Sequence, residues 1–182
     1  YFRDATVIYN MVSNQTNYIQ LNRGSKQGVK DNMAVISAEG YPVGLVVNVS
    51  DNFSEAMSLL HVQNTVNASL KKSGDFGTLQ WNGKDPRYLT LKNIPKSADV
   101  KKGDTVLTST YSYNFPPGYM IGTVADISVD NVTGFFTLKV KTAADFFDLQ
   151  HVHIIENLQY DEQLKLFNDT RQKIEQPKSN PK

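Results

Sequence analysis

Few side chains in this 182-residue chain could carry acid–base, nucleophilic or metal chemistry: it has three histidines and no cysteine. The lack of cysteine excludes a thiol nucleophile, a zinc–thiolate site and a disulfide framework. His151 and His153 stand two residues apart on a predicted strand, so they share a face and could chelate a metal. A third ligand would have to come from distant His61, or from a carboxylate such as Asp148 or Glu156. Catalytic zinc needs three protein ligands with a supporting shell, so the pair reads as a solvated strand face, and no metal or cofactor is expected. Ser73-Gly74-Asp75-Phe76-Gly77 has the letters of a hydrolase loop but reads as a turn between strands. Nothing singles out two of the 18 acids as a glycosidase pair.

The other chemically distinct segment is aromatic. Residues 111–119 (YSYNFPPGY) hold Tyr111, Tyr113, Phe115 and Tyr119, with Pro116 and Pro117 stiffening the backbone. Aromatics lose little entropy on ordering and are enriched at interface hot spots. These four are the expected partner-binding residues. The competing reading has Phe115 plugging the end of a barrel, with the tyrosines flanking it.

The elements that position these residues are mainly strands. Short runs rich in Val, Ile, Thr, Tyr and Phe recur between turns rich in Gly, Asn and Asp. Leu89 and Leu91, and later Phe136, Leu138 and Val140, alternate with polar neighbours, as a sheet with one buried face requires. Two segments read as helix: Ser54–His61, with Ser54 as N-cap, and Asp161–Glu175, with Leu164, Phe167 and Ile174 on one stripe. The polar, proline-broken stretch 176–182 is expected to be disordered.

Charge excludes one class of partner. With 19 Lys+Arg against 18 Asp+Glu the chain is nearly neutral, and residues 1–158 carry 14 of each sign. Such a body lacks the basic field that phosphate backbones demand, so nucleic acid is not an expected partner. No apolar run approaches the roughly 18 residues that span a bilayer.

An internal echo sets the architecture. Residues 29–37 (VKDNMAVIS) align without gaps on 100–108 (VKKGDTVLT), an offset of 71, and Val43-Gly44-Leu45-Val46 aligns on Ile121-Gly122-Thr123-Val124 at an offset of 78. Two similar β units imply two small barrels. Gly28 and Gly103 are placed to supply positive φ before strands, and Asp104 to accept backbone N–H groups in an Asx turn. Gly44 and Gly122, inside strands, read as bulges or barrel corners. Gly118 belongs to the Pro-Pro-Gly turn. All six are read as architectural.

These blocks resemble the rod shape-determining MreC family, in its extracytoplasmic domain. The likeness is carried by Gly24-Ser25-Lys26-Gln27-Gly28-Val29, by Gly40-Tyr41-Pro42-Val43-Gly44-Leu45-Val46, by residues 100–109 (VKKGDTVLTS), and by residues 115–124 (FPPGYMIGTV). A weaker block runs from Ala144-Asp145 to the strand Val152–Ile155. The family places Gly after the Thr-Ser pair, where this chain has Thr110.

The resemblance implies an all-β fold of two tandem small β-barrels with short helical segments and a C-terminal helix or tail. The expected division is 1–80, 81–156 and 157–182, with exchange of strands between the barrels allowed. It further implies a non-enzymatic scaffold of bacterial cell elongation and peptidoglycan synthesis on the periplasmic face of the inner membrane. That scaffold would be anchored by an N-terminal transmembrane segment outside this chain. The implied partners are the elongation-specific penicillin-binding protein, an MreD-like membrane protein and further copies of itself in an oligomer or filament. The alternative is a secreted or periplasmic double-barrel hydrolase of chymotrypsin-like design. It would require His61 beside a serine and an acid, although the Gly-Asp-Ser-Gly order of that family is missing. A stand-alone carbohydrate- or peptide-binding module is a third reading.

Overall fold

The computed structural model describes residues 2–112 and 114–175; the expected disordered stretch 176–182 lies outside them. The strands are β1 (Phe2–Asn10), β2 (Thr16–Leu21), β3 (Ala34–Ser37), β4 (Pro42–Val49), β5 (Ser54–His61), β6 (Val66–Leu70), β7 (Phe76–Gln80), β8 (Tyr88–Ile94), β9 (Thr105–Thr108), β10 (Met120–Val129), β11 (Phe136–Thr142) and β12 (His151–Ile155). One helix, α1 (Tyr160–Glu175), follows. The strands close into two antiparallel six-stranded barrels, ordered β1-β12-β3-β4-β5-β2 and β10-β11-β8-β7-β6-β9. Closure gives each of these strands a hydrogen-bonded neighbour on both sides, which limits the open edge available for edge-to-edge association.

The second barrel is inserted into the first. Strands β6 to β11 all lie in sequence between β5 and β12, yet β12 pairs with β1 (Ala5↔Val152) and β3 (Ile154↔Val35). Strand pairing therefore departs from a linear division at residue 80. β6 and β7 belong with β9 and β8, and β12 returns to the N-terminal barrel. The reason is hydrogen bonding: without β12, the facing edges of β1 and β3 would be left open.

The sequence echo is a true structural repeat. At an offset of 71 on β3 and 78 on β4, the same bonds recur. Asn32 N donates to Val46 O as Gly103 N does to Val124 O, and Val46 N donates to Met33 O as Val124 N does to Asp104 O. The Tyr41 amide donates to the Ser37 hydroxyl oxygen, and the Tyr119 amide to that of Thr108. Asn32 (φ 68°) and Gly103 (φ 92°) share a left-handed conformation at matching positions, where only Gly and the short polar Asn sit readily. A bulge follows in each copy, between Val46 and Asn48 and between Val124 and Asp126.

Ser54–His61 is a strand, not a helix. Its Glu, Ala, Met and Leu favour helix in isolation, but β2 and β4 flank it on both sides and the ladder overrides that weak preference. Ser54, Ala56, Ser58 and Leu60 point inward and are buried. The alternation was present in the sequence, hidden because two of its inward residues are serines.

Gly44 and Gly122 sit where neighbouring backbone crosses close. A Cβ on Gly44 would lie 2.9 Å from the Met57 carbonyl oxygen, and one on Gly122 would overlap the Lys141 carbonyl oxygen outright. Neither neighbour is a side chain that can swing away. Gly122→Ala is expected to lower the unfolding free energy by about 2–3 kcal/mol, and Gly44→Ala by less, measured by urea unfolding. Equal stability of the Gly122→Ala protein would contradict this close approach.

Candidate interaction surface

The aromatic segment leaves β9 at Thr108, whose side chain holds both ends of the loop. Its hydroxyl donates to Pro116 O (2.8 Å) and accepts from Tyr119 N (2.9 Å), while Gly118 N donates to Thr108 O (3.0 Å). Gly118 makes the return possible with φ 91°. The Ser109 hydroxyl oxygen accepts from Tyr111 N, and the Ser112 hydroxyl oxygen accepts from Phe115 N. These bonds tie the described residues of the loop to the end of β9.

The structure divides the four aromatic candidates. Phe115 is 1% exposed and packs in the core, so its ring is a structural anchor with no surface to offer a partner. Tyr119 is partly buried against the same core. Tyr113 lies outside the described residues. Tyr111 is 60% exposed and stacks on Phe76 of β7, itself 48% exposed, with ring centroids 4.6 Å apart. Asn67 of β6 donates to the Tyr111 carbonyl at 3.2 Å and holds that residue over the barrel. Phe76 is the member sequence reasoning missed. The alternation of Phe76 with buried Gly77 and Leu79 was the available signal that its ring faces out.

A groove of about 420 Å³ separates Thr110 and Tyr111 from Gln163, Leu166, Phe167 and Thr170 of α1. Leu166 and Phe167 are exposed along it, so the barrel and the helix contribute to one aromatic–aliphatic surface. The expected stripe residues Leu164, Phe167 and Ile174 are likewise exposed.

The turn residues sit at chain reversals. Gly28 (φ 81°) ends a short 3-10 turn, Ser25–Gln27, and the Asp104 carboxylate accepts from Lys101 N at 2.8 Å.

Among the described residues the histidines make no catalytic constellation. His61 is buried; its Nδ1 accepts from Gln63 N (3.1 Å), which leaves the proton on Nε2, 3.2 Å from the Tyr18 hydroxyl. Both nitrogens are engaged, by Gln63 N and the Tyr18 hydroxyl, and neither bonds a serine. The Ser73 hydroxyl bonds Asp75 within its own turn, as a turn residue would. His61 is therefore not paired with a serine in the way the hydrolase alternative requires. His153 pairs with Asp4 across β1 and β12 at 2.6 Å, and among the described residues no cluster of three or more His, Asp or Glu residues is placed to hold a metal ion.

Two outcomes follow from these placements. Phe115→Ala should cost about 3–5 kcal/mol of stability by opening a core cavity, whereas Tyr111→Ala should change the melting temperature little. Burial lowers the pKa of His61 below its usual value near 6.5. The unfolded chain then takes up a proton that the folded chain resists. The stabilising contribution is present above pH 6.5 and is lost as the pH falls from there through the lowered folded value. His61→Gln should flatten the stability profile between pH 7 and 5, read by denaturant unfolding.

With this geometry established, comparison with known proteins is direct. The family model "Rod shape-determining protein MreC, barrel core" matches residues 7–156. A cell shape-determining protein MreC from Listeria monocytogenes is 31% identical over 156 residues, covering 84% of this chain and 52% of that protein. This chain thus spans about half the length of the curated relatives it matches. A solved MreC structure from Listeria monocytogenes superposes with a TM-score of 0.78 at 30% identity, covering 85% of this chain and 74% of that one. A solved complex between a penicillin-binding protein, PBP2, and MreC from Helicobacter pylori has the same fold, with a TM-score of 0.63 at 18% identity over 86% of this chain and 100% of that one. The inserted double barrel, its repeated hydrogen bonds and this match over most of its length together place the chain in the MreC family of cell shape-determining proteins.

Proposed function

We propose that this chain is the barrel core of a non-catalytic scaffold for bacterial cell elongation and peptidoglycan synthesis, lying on the periplasmic face of the inner membrane. Its task is to bind a penicillin-binding protein, and the Tyr111–Phe76 face is the surface that does so. The observation that carries this reading is the solvent-exposed aromatic pair, in mutual contact, on a closed barrel. Exposed aromatics lose little entropy on binding, and the neighbouring Leu166 and Phe167 extend the apolar area. Family membership and the solved Helicobacter pylori complex support the choice of partner. Contact with an MreD-like membrane protein, self-association and an N-terminal membrane anchor belong to the same reading. An anchored array would raise the effective concentration of individually weak contacts.

The test is binding of the purified chain to the extracytoplasmic part of its cognate elongation-specific penicillin-binding protein, by biolayer interferometry. The double substitution Tyr111→Ser with Phe76→Ser should weaken binding by about tenfold or more, or ~1.4 kcal/mol, with thermal stability nearly unchanged. Unaltered affinity would remove this face from the interface.

A further inference from the structure

The repeat places one surface feature twice. Each barrel carries an outer-face groove, about 410 Å³ on the first and about 400 Å³ on the second. Strand register makes them counterparts. Glu55 pairs with Asn48 and Gln20 on the first barrel, as Lys139 pairs with Asp126 and Thr90 on the second. Val49 faces Ser54 where Ile127 faces Leu138.

The chemistry of the two grooves has diverged. On the second barrel three of the four charged side chains lining the groove have partners among the described residues, Lys84 being the exception. Lys139 lies 4.3 Å from the centre of the Tyr88 ring, Asp126 is 3.8 Å from Lys102, and Asp85 is bound to Arg87 at 2.9 Å. On the first barrel Glu55 accepts the Gln20 amide at 3.2 Å, and among the described residues no cationic side chain pairs with it. The walls around it are apolar: Val49, the exposed ring of Phe53, and Ile8, the extra residue of a bulge between Val7 and Tyr9 that turns its side chain outward. Beneath the groove the inward-pointing Ser54 is 4% exposed, and its hydroxyl has no hydrogen-bond partner among the described residues. The matching Leu138 has no polar atom to satisfy, so the fold itself does not require a hydroxyl there.

We propose that the first-barrel groove is a docking site for an apolar peptide segment of a partner protein, carrying a lysine or arginine that reaches Glu55. The acid without a cation selects a basic residue, the apolar walls take its hydrophobic neighbours, and the groove's size suits a few side chains. The site involves none of the residues of the Tyr111–Phe76 face and does not depend on which protein supplies the segment.

The test uses the intact chain and fluorescein-labelled leucine- and phenylalanine-containing peptides that differ only in one central residue, lysine or glutamate. The lysine peptide should bind in fluorescence anisotropy. Glu55→Lys installs the residue that the second barrel carries at this position. It should weaken the lysine peptide by about tenfold and restore binding of the glutamate peptide, with an unchanged melting temperature. Phe53→Ser should weaken both. If Glu55→Lys does not fold, Glu55→Gln should abolish the preference for lysine. Equal affinity for the two peptides on the unsubstituted chain, or binding indifferent to both substitutions, would overturn the proposal. Concentration-dependent dimerisation lost on Phe53→Ser would also overturn it, because the occupant would then be a second copy of the chain.

Discussion

The double pairing of β12 is the interaction on which the rest of the structure depends. Residues 151–155 bond to β1 on one side and β3 on the other, closing the first barrel with a strand that lies some ninety residues beyond β5. Everything between must return the chain to that gap, and the second barrel is the compact means of doing so. Contacts of such sequence separation carry a large loop-closure cost. The inserted barrel reduces it by folding the intervening chain into a closed unit of its own. His153 and Asp4 reinforce the seam, and the Asn10 amide reaches the Phe146 carbonyl just before the returning strand.

The two barrels are copies at the level of individual hydrogen bonds, which separates architecture from function within one chain. Positions required by closure are the same or nearly so in both: the left-handed pair Asn32 and Gly103, the crossing glycines Gly44 and Gly122, the hydroxyls of Ser37 and Thr108. Positions on the outer face are free of that demand, and they differ. The connector after β3 is a short turn, whereas its counterpart after β9 is the aromatic loop anchored by Phe115 and clamped by Thr108. Glu55 stands where the second barrel has Lys139. Differences between copies, at sites where the backbone asks nothing of the side chain, are where recognition can be built.

Burial decides which aromatics are available for that recognition. Phe115 and Tyr111 belong to one loop and look alike as sequence, yet one is buried in the core and the other packs on the outside against Phe76. Likewise His61 has the residue type of a catalytic base, but it is buried with both its nitrogens occupied, so it is a packing group joined to Tyr18.

The chain's repeat, its strand alternation and its turn glycines were legible in the sequence because each is a local property. An offset of 71 or 78, a period of two, or a left-handed turn is written into neighbouring residues. Those signals were enough for two small barrels and for an aromatic loop as the surface of interest. The membership of β12 in the first barrel, the strand at Ser54–His61, the pairing of Phe76 with Tyr111, and the matched grooves were decided only in three dimensions. Each depends on which distant strand supplies the hydrogen bonds. Backbone donors and acceptors are the same at every residue, so sequence-local signals carry no record of which edges will meet.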